Sequence, residues 1–148
     1  TIGHSLTLLV FTINDLNAFS KPIEISIALT IIITGFHAIK PIFYGKELLL
    51  TFIFGLIHGS AFGITLNEWG LTQSQKLLSL FGFNIGIEIM QVLIVLVCLP
   101  MVFLSNYPIF KFIRWIIASL TIFISIFWVV ERVTNKPNVV TQFIESLF

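Results

Sequence analysis

Two histidines and a carboxylate, His4, His58 and Glu88, lie inside long apolar runs of this sequence. Imidazole and carboxylate groups together are common ligands of divalent first-row metal ions. Their spacing matches no zinc motif of soluble proteins, so the pattern alone does not identify an ion. A carboxylate inside a membrane is costly unless it is neutralised or paired. No Lys or Arg accompanies Glu88, so a metal ion or a proton is its natural counter-charge.

The segment around Glu88 adds amide groups in helical spacing. Asn84, Glu88 and Gln91 are separated by four and three residues, so they share one face of a helix. We expect the amide oxygens to be weak or outer ligands. Gly82 and Gly86 fall on the opposite face, where another helix could approach closely. The alternative for the polar set is hydrogen bonding between helices, worth roughly 0.6 kcal/mol per contact.

A second segment surrounds its histidine with glycine. Gly55, Gly59 and Gly63 recur every four residues, and His58 lies among them. Small residues at this spacing allow close helix packing in membranes. We expect these glycines to let the helices that carry His58 and Glu88 close around one cation.

Composition identifies the class of protein that must position these groups. Hydrophobic residues make up 57% of the 148 residues and charged residues only 10%, against about 25% charged residues in soluble domains. The mean hydropathy is +1.03, which indicates a polytopic, all-α membrane protein. A net charge of +1 gives no basic patch for nucleic acid. The single cysteine, Cys98, forms neither an internal disulfide nor a metal motif.

Apolar runs and breakers predict five helical segments in one transmembrane bundle, 1–132, followed by a tail, 133–148. Ser20 is the expected cap of the second segment, and Pro22 suits its first turn. The first run is too short to span a bilayer and the chain starts without Met, so we expect it to be part of a longer protein. The predicted segments are 1–13, 22–39, 47–66, 74–104, with Pro100 a kink or end, and 109–130, and a short amphipathic stretch covers 139–148.

The polar residues of different segments fall at similar depth. At about 1.5 Å per residue, His4 is about 14 Å from the end of its segment and His58 about 12 Å from the same face. Asn84 is about 15 Å from that face, and Glu88 is one turn deeper. A hydrocarbon core is about 30 Å thick, so these groups lie near its middle. This shared depth predicts that they meet.

Other polar residues have simpler interpretations. Glu24 suits the start of a helix, where a carboxylate stabilises the macrodipole, and an entry path is the alternative. We expect Ser5 and Thr7 to bond only to their own helix, and His37 to lie at the interface. Membrane orientation stays open, because the predicted topology puts four cations on each side: Lys21, Lys76, Arg132 and Lys136 on one, Lys40, Lys46, Lys111 and Arg114 on the other.

Four blocks that occur in order carry a family resemblance: "TIGHSLTLL", "PIEISIAL", "FGLIHGSAFG" and "FNIGIEIMQ". Together they resemble the short bacterial form of the HupE/UreJ family over about the first 100 residues. The family is associated with nickel, and more broadly with transition-metal uptake for hydrogenase and urease. The resemblance implies six helices in the full chain, with a further His-containing helix before the first segment. By resemblance, the motif residues are His4, Glu24, His58, Asn84, Glu88 and Gln91.

These observations predict a multi-pass permease of the bacterial inner membrane that binds a divalent metal at mid-membrane. Two histidines would supply nitrogen ligands and one carboxylate would supply charge. The resemblance favours nickel, and cobalt, zinc or iron remain open. The alternatives are a membrane-embedded metalloenzyme with a fixed metal and a scaffold subunit whose polar groups only join helices. The expected partners are the lipid bilayer and the ion, with a homo-oligomer left open and no nucleic acid.

Overall fold

The computed structural model describes residues 1–14, 16–103, 107–137 and 142. Within this part the chain forms five α-helices and no strand, which confirms the all-α prediction. Four of the helices are long and apolar enough to cross a membrane, whereas the first has 12 residues. The helices are α1 (Ile2–Ile13), α2 (Ser20–Ile39), α3 (Glu47–Glu68), α4 (Gln73–Phe103) and α5 (Pro108–Thr134).

The helix ends depart from the prediction in a few places. A 3₁₀ turn, Asn17–Phe19, precedes α2, so Phe19 takes the cap position and Ser20 is the first helical residue. The prediction that Ser20 caps α2 was therefore wrong, although Pro22 does fall in the first turn. Helix α4 continues past Pro100. The predicted amphipathic stretch 139–148 lies outside the described residues, apart from Gln142.

The helices pack as two unequal groups joined through α2. Helix α1 packs on α3, and α2 packs on α5 and also on α3. Residues later in α3 approach residues later in α1: Gly55 lies next to His4 and Gly63 next to Phe11, so the two helices run parallel. Helix α4 makes few contacts, which are contacts with α1 and a few side-chain contacts with α3. The helices that pack most closely, α1 with α3 and α2 with α5, are not consecutive in sequence.

The glycines of α3 allow the close approach of α1. A Cβ atom on Gly55 would lie 3.1 Å from the backbone nitrogen of His4, and one on Gly63 would lie 2.6 Å from Cβ of Phe11. A Cβ on Gly59 would overlap the carbonyl oxygen of His4. We call this contact the glycine seam (Gly55, Gly59 and Gly63 against α1). The expectation that these glycines bring α3 and α4 together was wrong, because the neighbour they admit is α1.

Gly82 and Gly86 of α4 have no helix packed closely against them among the described residues. A Cβ on Gly82 or on Gly86 would meet nothing within 4 Å, so no helix in the described part of the chain uses that face of α4. None of residues 73–100 of α4 is buried. Helix α4 is consequently the most loosely attached helix of the structure.

Candidate metal site

His4 lies where α1, α3 and α4 meet. Its ring stacks on Phe83 of α4 with centroids 5.7 Å apart, and Phe83 in turn stacks on Phe62 of α3 at 3.5 Å. The Nε2 atom of His4 is buried and has no hydrogen-bond partner among the described residues. A buried ring nitrogen without a partner is costly in a protein interior. This atom is therefore available to an ion, a water molecule or a proton.

His58 lies on the side of α3 that faces α2. Its Nε2 atom is 3.1 Å from the hydroxyl oxygen of Thr30, and that hydroxyl lies 2.7 Å from the carbonyl oxygen of Ile27. A threonine hydroxyl has one hydrogen. If it donates that hydrogen to Ile27, then Nε2 of His58 must carry its own hydrogen and donate to Thr30. In that tautomer Nδ1 keeps the lone pair that a metal would use.

The amides of α4 turn towards α1. The Ser5 hydroxyl donates to Oδ1 of Asn84 at 2.5 Å, and the Thr1 hydroxyl donates to Oε1 of Gln91 at 3.0 Å. Each amide oxygen has a second lone pair that these bonds leave open. Both amides therefore form hydrogen bonds between helices, as the alternative hypothesis for these polar residues predicts. Both amide oxygens could still be weak ligands of an ion.

Glu88 lies one helical turn beyond Asn84, and it is the 16th of the 31 residues of α4. Its side chain is exposed. In the described part of the chain no hydrogen bond or ion pair to this carboxylate is seen. A carboxylate at the middle of a spanning helix is expensive without a counter-charge. Its compensation must come from something other than the contacts described.

Glu24 has a different environment from the histidines. Its Oε2 atom lies 2.5 Å from Nε of Arg132, so the start of α2 and the end of α5 are joined by an ion pair. The pair is a contact of charges rather than an aligned hydrogen bond. Both side chains are partly exposed, at 33% and 44%. The structure therefore shows an ion-pair partner for a structural role of Glu24, and its role in an entry path stays a prediction.

The six candidate residues do not form one closed cluster. Among the described residues, no group of three or more His, Cys, Asp or Glu side chains is close enough to hold a metal ion. His4 and His58 belong to helices in direct contact, and His4 lies beside the Phe83–Asn84 turn of α4. The carboxylates of Glu24 and Glu88 lie outside this group.

Several residues that sequence reasoning had set aside connect the helices around His4. Ser5 bonds to α4, and Thr7 donates to the carbonyl oxygen of Leu56 on α3 at 2.7 Å. The expectation that both bond only to their own helix was therefore wrong. Thr30 was not identified, although Ser26, Thr30 and Thr34 recur every four residues along α2. That hydroxyl stripe was a usable signal for a polar neighbour.

Asn67 was also missed, and it ties three helix ends together. Its amide nitrogen donates to the carbonyl oxygen of Phe11 at 2.6 Å, and its amide oxygen accepts from Nζ of Lys76 at 2.6 Å. His37 lies near the end of α2. Its Nδ1 atom accepts from the backbone N–H groups of Ile42 and Phe43, in the loop after α2.

Comparison with known proteins places the chain in a family. The family model described as "HupE / UreJ protein" matches residues 1–132. This match extends through most of α5, beyond the first 100 residues on which the four sequence blocks lie. Neither the curated proteins nor the solved structures contain a match to this chain. This helical chain, with four helices long and apolar enough to span a membrane in its described part, matches the family model over residues 1–132 and belongs to the HupE/UreJ family.

Proposed function

We propose that this protein is a permease for a divalent transition-metal ion in a bacterial inner membrane, with nickel as the first candidate cargo. Membership of the HupE/UreJ family is the observation that carries this proposal. The family is associated with nickel and, more broadly, with transition-metal uptake. The four long apolar helices support a multi-pass protein, which the transport of an ion requires.

His4 and His58 are the proposed nitrogen ligands. In the part of the chain that the structure describes, the buried Nε2 atom of His4 has no hydrogen-bond partner. The Thr30 hydroxyl orients the ring of His58 through its Nε2 atom. A metal-bound histidine commonly uses one ring nitrogen for the ion and the other for such an orienting bond. Imidazole suits nickel, copper and zinc alike, so the ligand type does not choose among these ions.

Glu88 is the proposed source of negative charge, and it requires a movement of α4. In the structure this carboxylate is exposed and lies one turn from Asn84 on the face that turns towards α1. Helix α4 is attached by side-chain contacts rather than by close backbone approach. A cation between His4 and α4 would attract Glu88 towards α1. We therefore propose that ion binding and closure of α4 on α1 occur together.

An incomplete ligand set suits a carrier. Conduction and transport need binding strong enough to admit an ion and weak enough to release it. Two imidazoles, one mobile carboxylate and amide oxygens that are already hydrogen-bonded would bind more weakly than a closed site with four ligands. Opening of α4 would then remove the charge that holds the ion, and the ion could leave.

The proposal is tested by measuring the uptake of radioactive nickel into proteoliposomes. The unaltered protein is compared with three variants, His4→Ala, His58→Ala and Glu88→Gln. We expect each substitution to lower the initial rate by at least about tenfold, the lower end of what outer-shell changes do to metal sites. His37→Ala is the matched control, because this histidine bonds only to the loop after α2 among the contacts described. Its rate should equal that of the unaltered protein.

The alternatives give different results in the same material. Nickel, cobalt or zinc that stays bound in stoichiometric amount without flux would refute the permease and favour a metalloenzyme with a fixed ion. No metal binding and unchanged uptake by the His58→Ala protein in cells would leave the polar groups as interhelical contacts only, as in a scaffold subunit.

A further inference from the structure

A groove of about 750 Å³ opens between the two groups of helices. Helices α2 and α5 form one wall, and parts of α3 and α4 form the other. Its volume falls within the range of about 300–1,000 Å³ that small-molecule sites occupy. The groove is separate from the contact of α1 with α4, and it reaches His58 only at its deep end.

The packing of α5 explains why this space exists. Helix α5 packs closely on α2, where a Cβ atom on Gly35 would lie 2.6 Å from Cγ1 of Ile122. In the described part of the chain α5 makes little or no contact with α3 and α4. A wedge is therefore left between α5 and these helices, and small residues such as Ala38 and Ala118 keep it wide.

The two ends of the groove differ in chemistry. Lys111 and Arg114 line the part nearest the start of α5, about 5 and 9 Å from that helix end. Among the described residues that line the groove, none is acidic. The deeper wall is mostly carbon, from residues such as Ile31, Phe54 and Ile117, and the hydroxyl of Thr30 lies at its end.

We propose that this groove binds one anionic phospholipid, with its phosphate on Lys111 and Arg114 and one acyl chain along the apolar wall towards His58. Basic pockets between membrane helices are suited to anionic head groups. The two cations are three residues apart on α5, so they lie on one helix face and can contact one phosphate together. This inference does not rest on the proposed transport of metal.

A lipid fits the groove better than a soluble anion does. The cations occupy only its mouth, and a free phosphate would leave the long apolar wall uncovered. The wall begins within about 10 Å of the helix end and continues to the depth of His58, about 16 Å from the start of α3. A phospholipid places its charge and its hydrocarbon at these same two depths.

Native mass spectrometry of the full chain, released from detergent with added lipid, tests the proposal. The probes are phosphatidylglycerol and phosphatidylcholine with identical acyl chains. We expect phosphatidylglycerol to bind on the order of tenfold more tightly, which corresponds to about 1.4 kcal/mol. The double substitution Lys111→Ala/Arg114→Ala should remove this preference. Lys40→Ala/Lys46→Ala is the matched control. These two cations lie between the end of α2 and the start of α3, and they do not line the groove.

A second pair of substitutions tests the apolar wall. Thr34→Phe adds bulk to a residue that lines the groove, and we expect it to lower retention of both lipids. Ile33→Phe changes a neighbouring exposed residue outside the groove and should leave retention unchanged. Helix content and elution volume are compared for every variant, so that misfolding is recognised.

Three results would overturn the proposal. One is a preference for phosphatidylglycerol that survives Lys111→Ala/Arg114→Ala. Another is complete displacement of the lipid by inorganic phosphate, which would show recognition of the head group alone. The third is a change of oligomeric state, without a change in lipid retention, in the Thr34→Phe protein, because a second copy of the chain would then occupy the groove.

Discussion

Substitution of Gly59 by alanine should separate α1 from α3 and destabilise the protein. The added Cβ would overlap the carbonyl group of His4, with its carbonyl carbon at 2.8 Å, and would also collide with the Thr7 hydroxyl. A backbone carbonyl in a helix cannot rotate away, so the helices must move apart. Overpacking of this kind costs about 1–3 kcal/mol. The bond from Thr7 to Leu56 would weaken as well, at roughly 0.6 kcal/mol.

Thermal unfolding in detergent measures this effect. For a chain of this length a loss of about 2 kcal/mol lowers Tm by roughly 4–8 °C. Gly82→Ala is the matched control: it is the same chemical change in a membrane-spanning helix, but its Cβ would meet nothing within 4 Å. Gly55→Ala should fall between the two, because its nearest neighbour would be at 3.1 Å. Alanine is the better helix former by about 1 kcal/mol, so Gly82→Ala should be neutral or stabilising.

The seam also sets the position of one candidate ligand. The carbonyl that Gly59→Ala displaces belongs to His4, so the rate of metal uptake should fall together with Tm in this variant. If Gly59→Ala and Gly82→Ala have the same Tm, then α1 does not pack on α3 through these glycines, and the reasoning is refuted. If Tm falls while uptake is unchanged, the seam is structural only and His4 is not a ligand.

Two further substitutions separate metal binding from structure. Thr30→Val removes the orienting bond to His58 and should lower metal uptake about tenfold; Thr34→Val, which loses only a bond to its own helix, is the control, and equal uptake by both variants would contradict the role of Thr30. Glu24→Gln breaks the ion pair with Arg132 and should change the free energy of unfolding by less than about 1 kcal/mol, because both side chains are partly exposed. A strong loss of uptake with unchanged Tm in the Glu24→Gln protein would instead place this carboxylate on the path of the ion.

Hydropathy predicted the helices well because a lipid environment leaves the backbone few alternatives. All five segments were found, and their ends differ from the prediction by a few residues. Ser20 was misassigned because a 3₁₀ turn before α2 moves the cap to Phe19, and hydropathy carries no information on such turns. The partners of each helix were harder to predict. Glycine spacing shows that a helix has a close neighbour, but Gly59 does not reveal whether that neighbour is α1 or α4.

For the polar residues, the sequence predicted their depth along each helix but not the neighbours of their side chains. Depth along each helix could be counted from the sequence, and Ser5 and Asn84, at similar depth, do form a hydrogen bond. The direction in which a side chain points around its helix depends on tertiary packing, which the sequence pattern does not specify. His58 therefore turned out to bond to Thr30 of α2, and Glu88 turned out to be exposed.

The unequal attachment of the helices has a consequence for the proposed transport. Helices α1 and α3 are held by close backbone approach, which an ion cannot alter. Helix α4 is held to α1 by side chains at or beside the candidate ligands, namely the Phe83 ring on His4 and the Asn84 amide on Ser5. A cation that takes up Nε2 of His4 and draws in Glu88 would change the contacts that attach α4 and leave the glycine seam intact. Ion binding would thus change the position of α4, the helix with the fewest contacts. A ligand shifts a conformational equilibrium only when it binds the two conformations with different affinity, and the position of Glu88 relative to His4 would supply that difference.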